Sequence, residues 1–204
     1  MTESARFLRA MRAIDAANAD DPNEIAVRGA RRPKELAHAE LATEWIARLL
    51  PDAGEAVRLA ARAHHVRRWE IPRGDYPADR AGYHRWRVAL HAHHAAIAAR
   101  ILREAGYADD AVARVQDLVR KRGLGRDPEV QALEDALCLV FLETQLAELA
   151  DRMDAAKLVG VMRKTLRKMS PAGLAHAQAL SLAPRERDLL ARAVTEERAG
   201  APVA

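Results

Sequence analysis

Apolar residues recur at three- and four-residue spacing along most of the chain. No strict apolar–polar alternation runs beyond a few residues, so the pattern predicts helices and no extended sheet. Phe7, Leu8, Met11 and Ile14 mark a first amphipathic helix over about residues 4–18, ended by Asp20-Asp21-Pro22-Asn23. A loop through Gly29 to Arg32 leads to Pro33, well suited to be the first residue of a second helix that stops at Leu50-Pro51. His38, Leu41, Trp45 and Leu49 share one face of that helix, which turns His38 inward. Asp52 is placed to cap a third helix carrying Val57, Leu59, Ala60, Ala63 and Val66; it delivers His64 and His65 near its end, one on each side of the apolar face. Ile71 to Ala78 (IPRGDYPA) holds two prolines and a glycine and reads as a loop.

Asp79 then caps a long fourth helix that runs to Ala105, with Gly106 as terminator and Leu90, His94, Ile97 and Ile101 as its apolar stripe. A fifth helix runs from Asp109 through Val112, Val115 and Leu118 to Arg122, closed by Gly123. Asp127-Pro128-Glu129 opens a sixth, to about Ala150, whose middle (ALEDALCLVFLE) is apolar almost all round, as in a buried central helix. Asp154 starts a seventh over 155–169. Ser170-Pro171 breaks the chain, a short segment follows, and Pro184 opens a last, charged helix to about Glu197. The expectation is an all-α, single-domain irregular bundle of seven or eight helices over residues 1–198, with a disordered tail at 199–204.

Composition narrows this picture. Half of the 204 residues are hydrophobic but only 4% are aromatic, so the core is expected to be Ala, Leu and Val, which suits closely packed helices. The 33 basic residues are mixed with 29 acidic ones, leaving a formal charge of +4, and no block of like charge reaches five or six residues. That mild excess argues against a nucleic-acid partner. The sole cysteine, Cys138, excludes an internal disulfide and a cysteine-rich zinc site. Charges interrupt every apolar group of MTESARFLRAMRAID, so no signal peptide or membrane anchor is expected, and the chain reads as soluble and cytoplasmic.

The candidate chemistry concentrates between His64 and His94 (HHVRRWEIPRGDYPADRAGYHRWRVALHAHH), which holds six of the eight histidines. Three features stand out. Histidines from separate helices, His38, His64 or His65, and His94, face inward. Glu134-Asp135 sits inside the most apolar helix, where an unpaired carboxylate costs several kcal/mol or stays protonated. Arg67, Arg68, Arg73, Arg80, Arg85 and Arg87 crowd the loop, and guanidinium groups aimed at one pocket hold phosphate or carboxylate. Imidazole plus carboxylate is a ligand set for zinc, iron or manganese. The plainer readings are a core histidine, an inert Glu/Asp–Arg network, Trp69 and Trp86 as packing residues, and His84, His91 and His93 as surface positions.

The blocks ARAHHVRRWEIPRGDYPADRAGYHRWR, VQDLVRKRGLGRDPEVQALEDALCLVFLE and RKTLRKMSPAG resemble a bacterial and fungal family of unknown function, domain of unknown function 4202, over nearly the whole chain. More distantly, the order His38, His64-His65, His94, Asp135 resembles the HD superfamily of helical metal-dependent phosphohydrolases. Those enzymes hold metal through a His, a His-Asp doublet and a distant Asp. The resemblance implies His38 as the first His, His65 (over His64) as the retained His of the doublet, His94 as an additional His and Asp135 as the last Asp. It departs in the doublet, where His replaces Asp and a negative ligand is lost.

This implies a divalent metal (Zn, Mn or Fe) and a phosphohydrolase acting on a small phosphorylated compound or nucleotide. Glu134 would be general base or partner to a ligand, Asp135 both ligand and catalytic group. Arg67, Arg68, Arg73, Arg80 and Arg87 would hold the anionic substrate, with Trp69, Tyr83 or Trp86 stacking on a base. Two alternatives stand beside it: a non-catalytic anion- or protein-binding helical module, and an iron-dependent oxygenase on the same scaffold.

Overall fold

The computed structural model describes residues 3–200, and among them the chain forms ten α-helices, two single-turn 3-10 helices and one short hairpin. The all-α expectation therefore holds. There are ten α-helices rather than seven or eight for two local reasons. The long sixth helix breaks at Gln145, just after Thr144 Oγ turns back to the Val140 carbonyl at 2.6 Å, a bond that competes with helix continuation. The short segment after Ser170-Pro171 is itself helical, with Ser170 Oγ accepting from the Gly173 N–H and Pro171 at the first helical position.

Contacts divide the chain into two compact units, residues 1–133 and 134–204, and the boundary falls inside a helix rather than in a linker. The first unit contains α1 (Ala5–Ala19), β1 (Glu24–Val27), β2 (Ala30–Pro33), α2 (Lys34–Leu49), α3 (Glu55–Ala63), α4 (Arg80–Glu104), α5 (Asp109–Val119) and the start of α6 (Pro128–Thr144). At its centre α3 packs against α1, α2, α4 and α5. Its sequence explains the position: Val57, Leu59, Ala60, Ala61 and Ala63 are all buried, and the alanines let neighbouring backbones come close. Gly54 rather than Asp52 is the capping residue before α3, and the helix ends where His64 and His65 begin.

The segment read as a loop through Gly29 to Arg32 is a hairpin, with Glu24 opposite Pro33 and Val27 opposite Ala30. Arg28 and Gly29, at φ 52° and 81°, make the two-residue turn whose twist matches paired strands. Beyond it Pro33 is the residue preceding α2 rather than the first one inside it. The cap of α2 comes from far away in sequence: Asp21 Oδ2 accepts from the Glu35 N–H at 2.9 Å, while Asp21 Oδ1 accepts from Asn23.

Between α3 and α4 the chain makes its two single-turn helices, at Arg68–Glu70 and Arg73–Asp75, and returns at Asp79, which caps α4 through the Gly82 N–H as expected. Gly82 is required there. A Cβ at that position would lie 2.1 Å from the Pro77 carbonyl oxygen, a backbone atom that has no rotamer to yield.

The second unit holds the rest of α6 with α7 (Leu146–Arg152), α8 (Ala155–Leu166), α9 (Pro171–Gln178) and α10 (Pro184–Arg198). The α10 helix packs on α7 and α8, and the fully buried Arg163 of α8 pairs with Glu197 at 3.1 Å. Ala199 and Gly200 form the turn closing α10; the remainder of the expected tail, 201–204, lies outside the described residues. No described helix is long and apolar enough to cross a membrane.

Gly82→Ala separates helix propensity from contact. In an open helix the change would stabilise by up to about 1 kcal/mol. Here the clash with Pro77 reverses the sign, and chemical denaturation is expected to show a loss of about 1–3 kcal/mol. A gain would mean that the loop does not press on the first turn of α4.

Candidate functional site

Three side chains of the first unit, Glu35 and His38 on α2 and His65 just past the end of α3, bring one ligand atom each within 4.8 Å of one another. Such a group can hold a metal ion. Glu35 and His38 are a helical turn apart, on the buried face of α2, with side chains 5% and 4% exposed; His65, at 28%, leaves the group open on one side. Glu35 Oε2 lies 3.2 Å from His65 Nδ1 and 3.5 Å from His38 Nδ1, whereas Oε1 lies 3.9 Å from Arg68 Nε. Asp21, by capping α2 at the Glu35 N–H, fixes the backbone from which that carboxylate projects.

His65 and Arg68 reach the site through a strained turn. Arg67, between them, has φ 53°, a left-handed conformation that non-glycine residues seldom adopt. The turn is held at several points. Asn18 Oδ1 accepts from the Arg67 N–H at 3.4 Å, and the Arg68 N–H donates to the His65 carbonyl at 3.0 Å. From α4, His94 Nδ1 bonds the Val66 carbonyl at 2.9 Å and His93 Nε2 the Arg67 carbonyl at 3.2 Å. His93, read from sequence as a surface position, is thus a clamp on the turn, and it also pairs with Glu70.

His64 and His94 are buried beside the group of three. Their rings stand 4.2 Å and 5.6 Å from that of His65. Each commits Nδ1 to a backbone carbonyl, His64 to Ala61 at 2.8 Å. A carbonyl only accepts, so in the neutral rings Nδ1 carries the proton and Nε2 presents its lone pair, the tautomer seen in metal-binding imidazoles. His94 Nε2 is buried without a partner. Of the expected ligands, then, His38 and His65 come together, His64 and His94 adjoin them outside the 4.8 Å group, and Glu35, which the sequence pattern does not mark, joins them.

Burial pushes the His64 imidazole down to about 4 and the His94 imidazole down to about 3, against the bond each makes to a carbonyl. Desolvation, then the neighbouring His64, holds His65 well below its ordinary value. For Glu35, burial pushes upward, but His65 and His38 outweigh it and hold the carboxyl well below the usual range. Burial, His64 and the fixed charge of Arg68 disfavour protonation of His65, while hydrogen bonds from His65 and His38 and the Arg68 guanidinium favour the ionised Glu35 carboxylate.

The expected anion-binding residues separate on inspection. Arg68 lies over the Trp86 ring at 4.9 Å, and its Nη1 is buried and unpartnered. Arg73 spends its guanidinium on the Tyr76 and Pro77 carbonyls, and Arg67 pairs with Glu70 and Asp20, so both serve the loop. Arg87 reaches His91 at 3.3 Å. Arg80 and Tyr83 are exposed, Trp69 is half-buried, and Trp86 donates its N–H to the Ile71 carbonyl at 2.9 Å.

Glu134 and Asp135 lie in the second unit. Lys168 Nζ stands 3.6 Å from Glu134 Oε1, which supplies the partner a buried acid requires. Both Asp135 oxygens accept from Ser170, its N–H at 2.9 Å and its hydroxyl at 2.5 Å, and the carboxylate fills the space that a Cβ on Gly173 would occupy. Asp135 thereby positions the residue that caps α9.

The profile of a family described as a domain of unknown function, DUF4202, matches residues 8–190. No curated protein and no solved structure matches the chain.

Without metal, the buried imidazoles make stability depend on pH with a defined sign. Their folded values lie below 6.5, so nothing is lost above that pH; below it the unfolded chain takes up protons that the folded chain refuses. Each imidazole should remove about 1.4 kcal/mol of stability per pH unit as pH falls from about 6.5 toward about 4. Denaturation in chelator across that range should show the slope, and His94→Gln should flatten it. Stability unchanged across the range would contradict the burial assigned to these rings.

Proposed function

The chain belongs to the DUF4202 family, whose description assigns no activity, and from the site we propose a metal-dependent hydrolase acting on a small phosphorylated compound. The observation that carries this reading is the buried Glu35–His38–His65 group with Arg68 beside it: two imidazoles and one carboxylate for a divalent ion, and a guanidinium for the anionic oxygens of a substrate. A divalent ion held there supplies Lewis acidity and activates water at neutral pH. Glu35 brings the negative charge, His38 and His65 bring neutral nitrogen donors, and Arg68 holds developing charge on the phosphoryl oxygens. The Trp86 face gives Arg68 its orientation.

The HD likeness supports this assignment in part: His38 and His65 take the places it implies, whereas His94 stands beside the group and Asp135 is engaged with Ser170. The doublet lacks its Asp, and Glu35, one helical turn before His38, offers the carboxylate that the missing Asp would have given. A second reading rests on the same donor set, because two histidines and one carboxylate also suit ferrous iron with open positions for dioxygen.

Metal content measured by mass spectrometry on untagged protein, purified without chelator, tests the proposal. About one equivalent of zinc, manganese or iron is expected, retained by folded wild type and lost from folded His65→Ala and Glu35→Gln. A folded protein that refuses every divalent ion ends both readings. If metal is present, turnover of phosphorylated metabolites supports the hydrolase. Ferrous protein that consumes dioxygen and leaves those compounds intact supports the oxygenase.

A further inference from the structure

The two oxygens of Glu35 face different neighbours. Oε2 is turned to the imidazoles of His65 and His38, at 3.2 and 3.5 Å, while Oε1 is turned to Arg68 Nε at 3.9 Å. One carboxylate therefore answers both the place a cation would occupy and a permanent cation of the protein. Arg68 has little else. Its Nη1 is buried with no acceptor, an unfavourable state for a guanidinium donor. The Trp86 ring beneath it attracts positive charge but offers Nη1 no lone pair, and Arg87 adds like charge nearby.

We infer that Arg68, over the face of Trp86, forms a subsite for a phosphate-type oxyanion, joined to the metal-binding group through Glu35 so that cation and anion bind cooperatively. The inference rests on the metal reading given above, in which Arg68 already faces the substrate's oxygens, and adds to it the coupling of the two ligands through Glu35. A divalent ion on Oε2 draws on the charge that Oε1 now presents to Arg68, leaving a guanidinium beside a second cation with a donor unused. A tetrahedral dianion meeting the partly exposed Arg68 side chain, with the groups that cover Nη1 moved aside, relieves both. The converse holds by linkage: an anion on Arg68 frees Glu35 for the metal, and each ligand raises the affinity of the other by the same factor. The matching chemical class is a phosphate group, free or as a monoester, since its oxygens suit the guanidinium fork.

The test is Mn2+ binding to the whole chain, read from the spin-resonance signal of the free ion and corrected for Mn2+ bound by phosphate in buffer. Inorganic phosphate is expected to tighten Mn2+ binding by about tenfold, a usual size for coupled sites. In Arg68→Gln, Mn2+ without phosphate should bind several-fold more tightly than in wild type, because the opposing charge is gone, and phosphate should no longer matter. Arg68→Lys, which keeps the charge and the stem, should return the weaker affinity and part of the coupling. A misfolded variant gives neither pattern. Phenyl phosphate in place of phosphate separates the sources: stronger coupling marks an organic monoester as the occupant, equal coupling marks free phosphate. Mn2+ binding indifferent to both anions, or a coupling that survives Arg68→Gln, overturns this inference alone. A wild-type protein that binds no divalent ion with or without phosphate overturns the metal reading and this inference together.

Discussion

The left-handed turn at Arg67 is the constraint on which the site depends. A residue with a Cβ held at φ 53° costs free energy, and the surrounding contacts must exceed that cost for the turn to persist. Two imidazoles of α4 reach the carbonyls of Val66 and Arg67, and Asn18 of α1 reaches the Arg67 N–H. Those three bonds come from elements that already pack together around α3. The strain thus sits where the core is best determined, and its product is a direction change within three residues. His65 is left beside Glu35, and Arg68 is brought over Trp86. An ordinary helical continuation of α3 would have carried Arg68 onward along the helix axis instead.

This arrangement also accounts for the paired histidines. Residues 64 and 65 and residues 93 and 94 form two doublets, and within each the neighbours do different work. In the first, His64 is fixed to the Ala61 carbonyl while His65 faces Glu35. In the second, both rings hold backbone of the turn, yet only His94 is fully withdrawn from solvent and keeps an unused ring nitrogen. Adjacent residues at a helix end or on a helix flank point about 100° apart, so a doublet supplies one inward group and one lateral one.

The helices were legible wherever their ends are marked by nearby residues. Asp79, Asp127, Ser170-Pro171 and Gly106 each act within one turn of themselves, so local pattern suffices to find them. The hairpin was not legible, because its strands are four residues long and its turn uses Arg-Gly where Asn-Gly would be diagnostic. In the site, His38 and His65 could be read from helical facing. Glu35 does not stand out because KELAHAE looks like an ordinary charged helix start; its spacing of three from an inward His38 is the signal available. Asp135 stands out in the sequence as a carboxylate in an apolar helix, but Ser170, which it bonds, lies 35 residues away and leaves no trace in the surrounding pattern.

The hairpin has one more consequence. Its base is closed by the Asn23–Lys34 backbone bond at 2.8 Å, and Asp21, which precedes it, grips the Glu35 N–H, which follows it. Residues 24–33 are therefore an excursion that departs from and returns to a clasp already fastened. Loop-closure entropy grows only slowly with length, so such an excursion can be lengthened, trimmed or rewritten while the carboxylate beyond it stays in place. Among relatives of this chain, that ten-residue stretch is where insertions and altered charges could accumulate without being felt by the imidazoles, making it a place for one member of the family to acquire a surface that another lacks.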